Sequence, residues 1–142
     1  MTHKLRYYAL AFWLVLIGMS CSDKDDSTLD NVPVAVIEKP AEGQLYQRGS
    51  TIMLTADFES GTGLKECTAY LKELKSLKGW DDPWTPEQTI TLNAQMTYRI
   101  ENQWLFEPTI PFDIKAGDYA FVLLVVDSDL NYSSYEIPII IE

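Results

Sequence analysis

Between residues 51 and 59 the chain reads TIMLTADFE, with Ile52, Leu54, Ala56 and Phe58 apolar and most of the residues between them polar. Alternation with a period of two places one apolar face on an extended strand. The same period returns in VPVAVIE (32–38) and in LKECTAYLKEL (64–74), where Cys67, Ala69 and Leu71 share a face. LKECTAYLKEL is also compatible with a helix, but Thr68 and Tyr70 favour a sheet, and a strand is expected through Leu71. TITLNA, MTYRIE and QWLFEPTIPF, within residues 89–112, read as further strands. DYAFVLLVVD (118–127) is apolar on both faces, as a central strand is. Pro33 and Pro138 suit strands at an edge or a bulge. Turn punctuation separates the segments, notably SGTG at 60–63 and the long KSLKGWDDPWTPEQ at 75–88. Many short strands, regular turn signals and no convincing helix predict an all-β domain, an antiparallel β-sandwich of about seven strands.

The first segment has a different pattern. Lys4 and Arg6 precede an almost wholly apolar run, Tyr7 to Met19, which ends in Gly18, Met19, Ser20 and Cys21. A basic start, an apolar centre and small residues at the end describe a secretory signal. The run is shorter than the ~20 apolar residues of a spanning helix. LIGMSC resembles the lipobox of bacterial lipoproteins, and the SDKDD that follows resembles the acidic signal that exports Bacteroidota lipoproteins to the cell surface. The resemblance implies cleavage before Cys21, a lipid on that cysteine, and an outer-membrane, surface-exposed address. Residues 22–32 are polar and acidic and read as a tether, roughly 35 Å long if fully extended. The expected organisation is a leader at 1–20, the lipidated cysteine and tether at 21–32, and one sandwich domain at 33–142.

Charge and composition narrow the chemistry. The whole chain carries a formal charge of −10. Without Lys4 and Arg6 the remainder has 9 basic and 21 acidic residues, a charge of −12. Such a chain repels phosphate backbones, so nucleic acid is not an expected partner. It also repels anionic lipid surfaces, so membrane contact is expected through the lipid anchor alone. The only histidine, His3, lies in the leader. The domain therefore has no imidazole for a catalytic triad or a zinc site. With Cys21 acylated, Cys67 has no partner for a disulfide, and a buried core side chain is its expected role. No enzyme activity and no cofactor are expected. A glycosidase would need two carboxyl groups across a cleft, and in so acidic a chain some pair always matches, so the acids read as a solvated surface.

IKAGDYAF (114–121) resembles a tyrosine corner, in which Gly117 turns the chain into a strand and the Tyr119 hydroxyl bonds back to the preceding turn. FVLLVVDSDLNYS resembles the last hairpin of bacterial immunoglobulin-like domains. Together with the lipobox and the acidic tether, these segments resemble an uncharacterised Bacteroidota family of immunoglobulin-like lipoproteins, domain of unknown function family 4625. The resemblance implies an immunoglobulin-like fold and no particular chemistry. Leu130 stands where that hairpin carries glycine, which favours a longer loop over a two-residue turn.

Two clusters are candidate sites. Asp127, Asp129 and Asn131 alternate in DSDLN, a spacing that can wrap oxygen ligands around Ca²⁺ or simply build a turn. In GWDDPWTPE (79–87), Trp80 and Trp84 flank Asp81 and Asp82. Aromatic faces beside carboxylates suit a glycan or protein ligand; the alternative is that both indoles fold back as a lid. Immunoglobulin-like topology would put DSDLN near the tether and the tryptophan loop at the far end. The expected role is a lipid-anchored binding or accessory module for a glycan or protein. The alternative is a structural component of an envelope assembly.

Overall fold

The computed structural model of the protein describes residues 31–74 and 84–142. Six strands follow in chain order: β1 (Val34–Lys39), β2 (Gln44–Tyr46), β3 (Ile52–Glu73), β4 (Glu87–Leu105), β5 (Gly117–Asp127) and β6 (Tyr132–Ile141). All pairings are antiparallel except that of β2 with β6. The hydrogen-bonded order is β1-β3-β5-β6-β2, with β4 also on β3.

This single sheet curls into two facing layers because β3 serves both. Its first half, Val34's partner Glu59 included, pairs with β1 and with the second half of β4. Its second half pairs with the first half of β4 and with β5. The alternating residues of both layers meet in one core, with Leu54, Ala56, Phe58 and Ile100 from one side and Cys67, Ala69, Leu92, Phe121, Leu123 and Val125 from the other. Each fully buried Leu or Phe contributes about 1.5–3 kcal/mol relative to exposure. Cys67 is one of these core groups, and burial, with the charge of Glu66 adding to it, pushes its thiol up to about 12. It is a packing residue and not a nucleophile at neutral pH. The protein is an all-β domain in which one curled, mixed sheet forms both layers of a sandwich, all-β as the alternation predicts.

The strand count differs from the expected seven. The segments at 51–59 and 64–74 are one strand, and those from 89 to 105 are another. SGTG is a bend without reversal, so pairing continues on both sides of it. The segment EPTIPF leaves the sheet after Leu105. β1 pairs on one side only and β5 lies between β3 and β6, as their compositions suggest, whereas β6, with Pro138, pairs with β5 on one side and with β2 on the other, without a bulge at Pro138.

The two long strands bend together. β4 turns through Asn93 and Ala94, both left-handed at φ 56° and 55°. β3 turns at Gly63, with φ +93°, and a Cβ there would lie 2.9 Å from the Ala94 carbonyl oxygen. Only glycine has both the conformation and the clearance. Gly63→Ala should therefore lower unfolding free energy by about 2–3 kcal/mol, a strained backbone and a backbone clash acting together. A urea midpoint equal to that of the parent would show that the bends are not nested in this way.

Candidate functional site

The bend end is closed by a single carboxylate. Asp127 ends β5 and is completely buried. Its Oδ1 accepts from the amides of Asp129 (3.0 Å) and Asn131 (2.8 Å). Its Oδ2 accepts from the Thr62 hydroxyl (2.8 Å) and the Asn131 side-chain amide (3.0 Å). Ser128 adds a backbone bond to the Gly63 carbonyl at 2.8 Å, so the β5–β6 turn is fastened to the β3 bend. The turn itself closes through Leu130 N–H on the Asp127 carbonyl, with Leu130 left-handed at φ 66°. This is the longer loop expected in the absence of glycine. Burial raises the pKa of Asp127, but its hydrogen bonds from Asn131, Thr62 and Asp129 outweigh burial and hold it below the ordinary carboxylate value. Asp127 and Asn131 are thus engaged in turn chemistry, while Asp129 is exposed. Among the described residues no group of three His, Cys, Asp or Glu could hold a metal ion.

The corner before β5 has the geometry its sequence suggested. Tyr119 is buried, and its hydroxyl donates to the Lys115 carbonyl at 2.8 Å. Gly117 sits between them at φ +154°. Lys115 also pairs with Glu73 at the end of β3, so the corner is anchored to the neighbouring strand.

The other end of the sandwich carries the segment after β4, whose Phe106, Ile110 and Ile114 are buried. β3 starts and finishes there, as do the outer ends of both arms of β4. Gln88, from the first arm, accepts the Phe106 amide just past the second arm at 2.8 Å and so ties the two layers together. Trp84 packs edge-on against the buried Phe106 ring, with centroids 6.1 Å apart and planes at 88°. Trp84 is half-buried and joins the core, as a lid does. Cys21, Trp80, Asp81 and Asp82 lie outside the described residues.

Trp104 is the residue that alternation misses. Counting in twos from buried Ile100 would put it in the core, yet it is 66% exposed. The cause is a bulge. Ala56 pairs with Ile100 and Leu54 with Gln103, so two residues of β4, Glu101 and Asn102, face the single Thr55 of β3. Asn102 is left-handed at φ 49°, and its amide bonds the Thr55 hydroxyl at 3.1 Å. The extra residue reverses the parity, turning Leu105 inward and Trp104 outward. The signal in the sequence is three consecutive large apolar residues, Trp104, Leu105 and Phe106, which a strand cannot bury on one face. Around Trp104 an open groove of about 570 Å³ is lined by Gln88, Glu101, Asn102, Gln103 and Glu107. A second, of about 510 Å³, runs past Trp84, Phe106 and Pro108 and shares Gln88 and Glu107 with the first. A third, of about 340 Å³, lies on the outer face of β1, β3 and β4 beside Val34 and Val36. There Arg99 is occupied by Asp57 and by Glu38 at 3.2 Å.

Comparison with known proteins gives a family. The family described as Domain of unknown function (DUF4625) matches residues 19–142. No curated protein matches. Among solved structures, the fibronectin(III)-like modules of Clostridium thermocellum CbhA are similar at 16% identity and a TM-score of 0.45, over 76% of this chain and 94% of that one.

Two expectations follow from the geometry. Because the folded pKa of Asp127 is lowered, its contribution to stability is full above about pH 4 and is lost as pH falls through the folded value. The gap in unfolding free energy between the parent and Asp127→Asn should therefore be largest near neutrality and shrink in acid. A gap independent of pH would mean that the charge of Asp127 does not stabilise the turn. For the tryptophans, Trp84→Ala should cost about 2–4 kcal/mol, since it removes an indole packed on the core, whereas Trp104→Ala should stay within about 0.5 kcal/mol. Thermal melts of the two variants compare them directly, and equal losses would contradict the outward orientation of Trp104.

Proposed function

The chain belongs to this family of domains of unknown function, and from that premise we propose that it is a non-catalytic module, held on the outer membrane by a lipid on Cys21 and presenting the end opposite its bend to a glycan or protein ligand. The observation that carries the reading is polarity. The chain enters the sandwich at Val34, opposite Glu59 at the bend end. The grooves beside Trp84 and Trp104 lie at the other end. A tether joined to the bend end leaves the tryptophan end directed away from the bilayer. Interface chemistry favours the same end, since exposed indoles are enriched where proteins bind partners.

The anchor is tested by Cys21→Ala. Parent protein should partition with membranes, incorporate labelled fatty acid and be trimmed by protease added to intact cells. The variant should lose the label and either appear in the soluble fraction or keep its leader. Mature variant protein that still sediments with membranes would overturn the anchored reading.

A further inference from the structure

We propose that the groove beside Trp104 binds an uncharged sugar ring of a glycan chain, stacked on the indole and read by the polar side chains around it. This rests on the binding-module reading above and names its ligand class.

The decisive feature is the mixture of donors and acceptors. Three carboxamides line the groove, and each is fixed by one hydrogen bond. Gln88 accepts from the Phe106 amide at 2.8 Å, Asn102 accepts from Lys39 at 2.9 Å, and Gln103 donates to the Trp104 carbonyl at 3.2 Å. An amide group held by its oxygen still offers N–H, and one held by its nitrogen still offers oxygen. Gln88 and Asn102 therefore present donors, and Gln103 presents an acceptor. Glu101 and Glu107 add acceptors. Hydroxyl groups both donate and accept, so a sugar can satisfy the whole set. A lysine or arginine side chain only donates. It would satisfy the two carboxylates, leave the Gln88 and Asn102 donors facing a cation, and approach Lys39. An anionic glycan is excluded by the two groove carboxylates and by the chain's charge of −10.

The apolar half of the requirement is met by Trp104, two-thirds exposed and aimed out of the sheet by the Asn102 bulge. The C–H face of a pyranose covers such a ring and removes apolar area from water on both sides. Because the carboxamides are held before the ligand arrives, little side-chain freedom is lost on binding.

The test uses the full-length protein in nonionic detergent. Affinity electrophoresis through gels containing neutral mixed-linkage glucan, galactomannan or arabinoxylan should show retardation by at least one polymer. Trp104→Ala should weaken that retardation at least tenfold while its melting temperature stays at the parent value. Glu101→Gln with Glu107→Gln, which removes both groove charges and exchanges acceptors for donors, should weaken sugar retardation less than Trp104→Ala does, and added salt should leave the parent's retardation unchanged. Oligolysine serves as the cationic probe in calorimetry. Retardation by none of the polymers, or retardation indifferent to Trp104→Ala, would overturn the proposal. So would salt-sensitive oligolysine binding that the double Gln variant abolishes, since the groove would then be a site for a basic peptide. Membrane fractionation of Cys21→Ala does not depend on any sugar, so a failure here leaves the anchored-module reading standing.

Discussion

The structure depends on one crowded point, the contact between Gly63 and the carbonyl of Ala94 where two long strands bend together. Because β3 and β4 each supply both layers, no loop separates the layers along this edge, and the fold-over has to happen inside the hydrogen-bonded ladder. Glycine at 63 lets the two backbones approach, and the left-handed pair Asn93–Ala94 gives β4 the matching turn. Asp127 then holds the corner in place. Its carboxylate takes donors from the β3 bend and from the β5–β6 turn at once, which fixes the bend relative to the central strand. Buried charge is tolerated there because every bond to it is charge-assisted.

A sandwich folded over within its ladder at one end has no such strand continuity between its layers at the other, where side chains join them. Gln88 and Trp84 do this through Phe106, one with a hydrogen bond and one with its ring. The grooves lie on either side of that closure and share its Gln88 and Glu107. The Asn102 bulge belongs to the same geometry. It sits where β4 nears the end opposite the bend, and it sends one large side chain outward that regular pairing would have buried. Scaffold and candidate site are therefore coupled: the residues that hold the layers together also shape the surface beside Trp104.

Much of the scaffold is legible in the sequence because burial and pleat share one period. Ile52, Leu54, Ala56 and Phe58 alternate and are all buried; Cys67 and Ala69 do the same. The Tyr119 corner is readable because a tyrosine just after an AGD turn has a specific partner to find, and the Lys115 carbonyl is that partner. The continuity of β3 is not readable, since SGTG has the composition of a reversing turn and only the pairing partners show that it is a bend. Trp104 is hidden for a related reason. A bulge changes parity through a backbone conformation at Asn102, and asparagine is equally at home in ordinary turns. Trp80, Asp81 and Asp82 draw attention by composition, whereas Trp104, the most exposed indole among the described residues, stands in a strand where counting in twos from Ile100 would bury it.

One indole face and a few hydrogen bonds make a weak site when taken alone. Aromatic contact adds about 0.5–1.5 kcal/mol beyond burial, and each net hydrogen bond about as much again. Against these stands an association cost of about 4 kcal/mol or more. A single site of this construction holds a single sugar ring loosely. On the proposed reading the ligand is a chain of such rings and the module is one of many on a membrane, so the second contact is made at a high effective concentration. Linked sites of this kind gain about 10²–10⁴ in avidity without any new contact. On the same reading the negative charge of each copy keeps the copies from adhering to one another. The shallow, polar groove is then matched to its setting: weak enough to release one ring, and collectively strong enough to retain a chain.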